Sequence, residues 1–439
     1  MTSLPAAPRT KAKRRSAAMA GPSKPRWLAA LGPGLITGAS DDDPSGIATY
    51  SQAGAQFGFA IGWTMLFSYP LMAVIQEISG RIGRTTGRGI AGNIRKCYPN
   101  WLLQFIVGLL FVANTINIGA DLGAMGEAVG LLIGGPGLLY VALFGVFCAA
   151  LQILTQYARY ASILKWLTLA LFAYFGTVMV VKVPWNEVVL GLLVPTFSSD
   201  GAFWTMVVAI LGTTISPYLF FWQASQEVED IKAVPEREPL VKKPKQGPDA
   251  LERIRLDTYV GMAFSNLVAI AIIITTAATL HAAGVTNIET SSQAAEALRP
   301  VAGPFAFTVF TLGIVGTGLL SVPVLAGSAA YALAEARKWP SGLARRPREA
   351  KAFYGAIALA TMIGAMMSFS PIDPIRALYW SAVINGVVAV PVMAIMMLIA
   401  MNPKIMGKFA ISGPLRIVGW FATFIMAAAA IGMGVTAFG

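Results

Sequence analysis

Apolar stretches of bilayer-spanning length recur along almost the whole chain, and no segment between them is long enough to fold as a separate soluble domain. A helix needs about 20 apolar residues to cross the hydrocarbon core of a membrane. Eleven spans approach or exceed that length, at about 28–56, 59–80, 101–130, 136–154, 161–182, 203–226, 258–283, 303–334, 353–370, 376–400 and 414–437. Lipid offers backbone amides and carbonyls no partners, so such a chain must satisfy them within helices packed as a bundle. Hydrophobic side chains make up 56% of the sequence and charged ones 12%, proportions that a soluble domain does not reach. The expectation is an all-α integral membrane protein.

Charge orients the bundle. The first forty residues carry Arg9, Lys11, Lys13, Arg14, Arg15, Lys24 and Arg26 and no acid, as expected of a basic cytoplasmic tail over residues 1–27. With that tail inside, the loop holding Arg81, Arg84, Arg88, Arg95 and Lys96 is cytoplasmic too, and so is "EARKWPSGLARRPREAK". The intended outer loops, "PWNEVVLGLLVPTFSSD" and "GVTNIETSSQAAEALRP", are poor in Lys and Arg. The net charge of +12 is thus read as topology, with interaction with anionic lipid headgroups as a second reading, and no nucleic-acid partner is expected. The tail lacks a short apolar core followed by a small-residue cleavage site, so no cleavable signal peptide is expected. Two cysteines, Cys97 and Cys148, support neither a disulfide framework nor a thiolate metal site. The mixed-charge insertion "QEVEDIKAVPEREPLVKKPKQGPDALERIRLD" reads as a solvated linker.

Two spans are interrupted. "GASDDDPSGIATYSQAG" places Asp41, Asp42, Asp43 and Pro44 inside the first, and "AILGTTISPYLFFWQASQ" places Gly212, Thr213, Thr214, Ser216 and Pro217 inside the sixth. Each break lies in the first span of a group of five, and "YSQAG" follows one as "FWQAS" follows the other. The two groups begin on opposite sides of the membrane, so a repeat of this kind is inverted. Paired interruptions in the two halves point to a transporter's central binding site, because unwound backbone survives in a membrane only where it lines a cavity or binds something. Asp43 precedes a proline and fits a helix cap, and a carboxylate at that depth also calls for a partner; capping and ligation are compatible. Asp41 and Asp42 stand either at a cation-attracting vestibule or simply beside the carboxylate that matters. Asn114, Asn117 and Asn385 read as helix-to-helix hydrogen-bonding groups, and His281, the only histidine, as an interfacial residue.

These residues resemble the NRAMP family of proton-coupled divalent metal transporters. That family carries Asp-Pro-Gly-Asn on its first helix and Met-Pro-His on its sixth; here the positions read Asp43-Pro44-Ser45-Gly46 and Ser216-Pro217-Tyr218. "LGPGLITG", "AGAQFG" and "TTGRGIAGNIRKCYP" match the surroundings, and the resemblance runs from about residue 28 to the end. It implies a LeuT-like fold of 5+5 inverted transmembrane helices plus one extra helix, with helices 1 and 6 discontinuous. Repeat one would cover about 28–182, repeat two about 203–400 and the extra helix about 414–437, within a single transporter domain over 28–437.

Carried over residue by residue, the family's metal ligands fall on Asp43, Gly46 and Ser216, so one of the three side-chain ligands is retained. Loss of the thioether favours a hard cation such as Mg²⁺ or Mn²⁺ held by Asp43, Ser216, Thr213 or Thr214 and main-chain carbonyls, in a site like that of NRAMP-related magnesium transporters that have also lost the methionine. The sixth-helix histidines become Tyr218 and Gln223. On the third helix "IGADLGAMGEA" keeps the family's aspartate as Asp121, replaces its glutamate by Ala124 and has Glu127 one turn further on. Asp121 and Glu127 are the coupling candidates for a proton co-substrate, with an ion pair the favoured structural reading of Asp121.

The resulting expectation is a secondary active transporter of a small inorganic divalent cation in a prokaryotic plasma membrane. No nucleophile–base pair, zinc motif or phosphate loop is present, so no enzyme and no cofactor are expected. Two other readings stay open from sequence: a non-metal solute or anion carried on the same scaffold, and a membrane sensor or membrane-embedded enzyme.

Overall fold

The computed structural model describes residues 37–38, 40–155 and 167–438. The predicted tail, the start of the first span and residues 156–166, which include the start of the fifth span, lie outside them. The helices that matter below are α1 (Pro44–Phe57), α2 (Trp63–Thr86), α3 (Ile90–Cys97), α4 (Asn100–Ile133), α5 (Gly137–Leu154), α6 (Phe172–Val180), α7 (Trp185–Leu193), α8 (Gly201–Thr214), α9 (Pro217–Ala233), α10 (Gly247–Thr279), α11 (Ser291–Glu296), α12 (Ala306–Arg337), α13 (Lys351–Met367), α14 (Pro374–Met401) and α15 (Gly413–Phe438). Seven helices among the described residues are long and apolar enough to cross a membrane, or eight if the pair Pro44–Ile61 and Trp63–Thr86, which turns through 109° at a short break, is taken as one span.

Local sequence sets the helix ends. Asp43 and Asp373 each precede a proline, and each side chain accepts from a backbone amide of the first turn, as N-caps do. Gly58 ends α1 at φ 59° and Gly87 ends α2 at φ 67°, a left-handed conformation that a β-carbon disfavours.

The centre of the bundle is α4, which packs against α12, α13, α14 and α5. Around it the two interrupted spans lie against each other's groups: α1 packs on α10, and α9 packs on α2. Gln76 of α2 donates to the Leu219 carbonyl of α9 at 3.0 Å. Small residues mark the closest crossings, because van der Waals contact rather than water exclusion drives association of helices in lipid. Gly119 of α4 meets Gly364 of α13, Gly54 of α1 meets the Ile273 carbonyl of α10, and Gly83 of α2 meets Ala224 of α9.

At Gly212 the backbone of α8 rests directly on α14: a β-carbon there would overlap the Ala382 carbonyl and come within 2.6 Å of the Gly386 nitrogen. Gly212→Val is therefore expected to lower stability by about 1–3 kcal/mol, the usual range for overpacking. Thermal unfolding of the detergent-purified protein checks this, and an unchanged midpoint would refute the tight crossing.

One expectation needs correction. The polar insertion after the sixth span is not a solvated linker throughout. Helix α9 continues to Ala233 and α10 starts at Gly247, and between them Leu240 is fully buried, its amide bonded to the Arg84 carbonyl at 3.3 Å. Arg84 of α2 donates in turn to the Glu238 carbonyl and, at 2.8 Å, to Gln246. The segment caps the otherwise unpaired last carbonyls of α2, a role that its charge and proline content do not announce.

Candidate functional site

Both sequence interruptions are breaks in helical backbone. Residues 42 and 43 leave the helical conformation before Pro44 restarts it, with Asp43 at φ −70° and ψ 170°. Between α8 and α9, Ile215 (φ −119°, ψ 59°) and Ser216 (φ −83°, ψ 130°) do the same before Pro217. The breaks face each other and are tied at three levels. Thr213 donates to the Tyr50 hydroxyl at 2.7 Å, Tyr218 donates to the Ser40 carbonyl at 3.0 Å, and Thr37 donates to Gln223 Oε1 at 2.7 Å.

Asp43 is buried at the middle of this arrangement. Its Oδ1 accepts from the Gly46 amide and the Ser45 hydroxyl, both at 2.7 Å; its Oδ2 accepts from Asn117 Nδ2 at 3.1 Å, with the Tyr218 hydroxyl 3.5 Å away. Capping is thus one role of the residue. A β-carbon built on Gly46 would lie 3.5 Å from Asp43 Oδ1 and 3.4 Å from the Asp41 carbonyl, so position 46 looks into the break.

Three further carboxylates share the interior. Asp41 and Asp42 both lean on one hydroxyl, Ser265 of α10, at 2.6 and 3.1 Å, and each has a second oxygen with no partner. Asp121 of α4 accepts from Ser321 of α12 at 2.8 Å, and its other oxygen is also unpartnered. All four side chains are at most 2% exposed, and none of them belongs to an ion pair among the described residues. The ion pair expected for Asp121 is therefore replaced by a hydroxyl contact. Four carboxyl groups gathered in the interior, facing hydroxyls and amides only, favour a positive occupant.

The remaining predicted residues fall out as follows. The Thr214 hydroxyl bonds back to Ile210 of its own helix at 3.0 Å. The Ser216 hydroxyl donates back to the carbonyls of Gly212 and Thr213, both at 2.7 Å, which closes the end of α8. Glu127 is half-buried with one unpartnered oxygen and has Asp373 as its charged neighbour, apart from the central group. His281 Nδ1 lies 2.7 Å from the Ala55 carbonyl at the far end of α1. No three His, Cys, Asp or Glu side chains converge as a ready-made metal cage among the described residues.

Asn117 is the contact that sequence reasoning undervalued. It joins Asp43 on α1 to Ser381 on α14, whose hydroxyl donates to Asn117 Oδ1 at 2.8 Å. The signal was present: Asn114, Asn117 and Asp121 stand at i, i+3 and i+7, on one face of α4. Asn114 itself binds α12 through the Leu325 carbonyl and Ser328, as expected of a packing group.

A cavity of about 310 Å³ runs along α1 beyond the break, past Ala48, Gln52 and Gln56, between α8 and α14. Its far rim is held by the Ile288 amide donating to Gln52 at 2.7 Å and by the Arg376–Glu289 ion pair at 2.9 Å.

Comparison with known proteins agrees with this geometry. Residues 34–436 match the family described as natural resistance-associated macrophage protein-like. The chain is 27% identical over 416 residues to the divalent metal cation transporter MntH of Klebsiella pneumoniae (strain 342), a match that spans 91% of this chain and 92% of that protein. It is 31% identical over 306 residues to the protein of the same name from Chromohalobacter salexigens, across 68% and 69% of the two chains. Among solved structures, the Eremococcus coleocola manganese transporter in complex with an aromatic bis-isothiourea substituted compound superposes with a TM-score of 0.72 at 17% identity, over 93% of this chain and 87% of that one. The fold is accordingly that of NRAMP proteins, an all-α LeuT-like membrane architecture, and the chain belongs to the natural resistance-associated macrophage protein family.

Proposed function

We propose that this protein is a secondary active transporter that moves a hard divalent cation, Mg²⁺ or Mn²⁺, across a bacterial plasma membrane by alternating access. The observation that carries the reading is Asp43, a buried carboxylate held between two facing helix breaks, with Asp41, Asp42 and Asp121 around it. Relatives named as divalent metal cation transporters and a manganese transporter support it. The gathered carboxyl groups also argue against an anionic solute, which they would repel when ionised and could not neutralise when protonated.

Asp43 is the anionic ligand in this reading. Ser216, Thr213, Thr214, the backbone beside Gly46 and main-chain carbonyls of the breaks supply further oxygen, and water completes the shell. An oxygen-only set with few side-chain ligands suits Mg²⁺ or Mn²⁺ better than a soft metal. The cavity beside Gln52 is the approach from one side of the membrane. Asp121, with its unpartnered oxygen, is the candidate for a coupled proton, and Glu127 is a more remote one.

The whole bundle forms one transporter domain over 28–437, with eleven spans, helices 1 and 6 discontinuous and the N-terminus cytoplasmic. The spans beyond the seven long ones, among which Gly201–Ala233 is the sixth span interrupted at Ile215 and Ser216, are the shorter apolar helices Leu169–Val180 and Lys351–Met367 and the turned pair at Gly62, counted as two. Uptake of Mg²⁺, Mn²⁺ and Ca²⁺ into proteoliposomes, beside protein-free vesicles, tests the function. Saturable uptake of at least one of these ions is expected; no uptake of any, with folded protein and a pH gradient applied in either direction, would overturn the reading.

A further inference from the structure

A groove of about 440 Å³ separates α2, α10 and α15 on the outside of the bundle. It lies where α2 ends and α10 and α15 begin, the end that also carries Arg84, Arg88, Arg95 and Lys96. Each helix offers one face to it: Val74 and Arg81 from α2, Arg255 and Tyr259 at i and i+4 from α10, and Leu415 and Val418 at i and i+3 from α15.

The charges in the groove do not cancel. Arg81 is paired with Glu77 at 2.6 Å, which leaves that pair neutral. Arg255 forms no ion pair among the described residues, and its guanidinium stacks 5.7 Å from the centre of the Tyr259 ring. Arg255 is exposed, and a guanidinium that contacts a ring through its face keeps its edge N–H donors free for a fork that matches two phosphate oxygens. Immediately beside Arg255, Leu256 and Val260 are exposed, as are Ile417 and Phe421 of α15. On helices that cross a membrane, an exposed apolar band means contact with acyl chains.

We propose that this groove binds an anionic phospholipid, with its phosphate on Arg255 and an acyl chain along Val74, Leu415 and Val418. Three features select that occupant. The groove opens on the lipid-facing surface; its polar end has one uncompensated positive charge; and it lies at the basic end of the bundle, where the anionic leaflet is expected. A protein helix docked in its place would trap an unpaired arginine, which is costly. The inference is independent of the transport reading, since it involves neither Asp43 nor the helix breaks.

The test is a titration of the detergent-purified full-length protein with phosphatidylglycerol or with phosphatidylcholine of the same acyl chains. Thermal unfolding is followed, and native mass spectrometry counts retained lipid. Phosphatidylglycerol is expected to raise the unfolding midpoint saturably and to remain as a bound adduct, with phosphatidylcholine much weaker. Arg255→Gln should weaken the effect roughly tenfold or more, as loss of a charged hydrogen-bonding partner does. Val418→Trp, which fills the acyl end, should also weaken it, whereas Arg346→Gln, at an exposed arginine outside the groove, should not. Equal effects of the two lipids, a phosphatidylglycerol effect that survives both groove variants, or an equal loss in Arg346→Gln would overturn the proposal.

Discussion

Asp43→Asn is expected to abolish saturable divalent-cation uptake while leaving the protein folded. The substitution is nearly isosteric, and its carbonyl oxygen can take over Oδ1's bonds from the Gly46 amide and the Ser45 hydroxyl. Asparagine is as good an N-cap as aspartate, so the start of α1 survives. On the other side, the new amide would face Asn117 Nδ2, which now donates to Oδ2. That conflict resolves if the Asn117 amide turns over, because its second partner, the Ser381 hydroxyl, can donate or accept. What cannot be restored is the charge. Groups that merely orient a metal's ligands change affinity by about 10–100-fold, so if Asp43 is the anionic ligand proposed above, its removal should lower uptake by about a hundredfold or more. Asp43→Ala should lose transport as well, but it also loses the cap, at about 0.5–2 kcal/mol of stability. The asparagine variant is therefore the cleaner test. Uptake by Asp43→Asn with wild-type rate and concentration dependence would remove Asp43 from the ion's path.

The sequence made the spans and the breaks readable for different reasons. Spans are legible because hydrocarbon thickness imposes a length on every crossing, and α4, α5, α12, α14 and α15 fall close to the expected ranges, whereas α10 starts at Gly247 rather than near 258 because a charged stretch of helix outside the hydrocarbon carries no apolar signal. The breaks are legible because proline and clustered polar residues have few places in a membrane helix, and both restart helices at the proline itself. The partners of the buried acids were less visible. Ser265 and Ser321 sit inside α10 and α12, where a serine usually bonds its own helix, and only the packing of α10 against the first break and of α12 against α4 gives them a carboxylate to hold. The direction of the Ser216 hydroxyl was likewise beyond reach: its position follows from the motif, but its choice of the carbonyls at the end of α8 depends on the backbone angles of the break. The docked Leu240 segment was hidden for a similar reason, since a charged, proline-containing stretch has the same composition whether it is free or pinned to Arg84.

Ser216→Met is expected to shift selectivity toward soft metals, read as stronger inhibition of Mg²⁺ or Mn²⁺ uptake by Cd²⁺. The position is the last residue before Pro217, inside the break that faces Asp43, and it is where the family carries its thioether ligand. Methionine would surrender the two bonds that Ser216 makes to the Gly212 and Thr213 carbonyls, a loss of about 1 kcal/mol for each bond that water does not replace. In exchange it brings an unbranched, flexible side chain whose sulfur can turn from the end of α8 toward the ion. Thiolate and thioether donors favour late and soft cations over Mg²⁺, so the ratio of Cd²⁺ to Mg²⁺ affinity should rise by about tenfold or more, the least expected of a direct ligand when orienting groups already change affinity by about 10–100-fold. Stability should fall only slightly, which separates a selectivity change from misfolding. The gain should also vanish in the Ser216→Met, Asp43→Asn double variant, because sulfur alone cannot neutralise a divalent ion in a buried site. A Cd²⁺ to Mg²⁺ ratio unchanged by Ser216→Met in a folded, transporting protein would mean that the ion passes the break without touching position 216. The oxygen-only ligand set would then have to come from Asp43 and the main chain, and the hard-cation preference would rest on hydration rather than on the missing methionine.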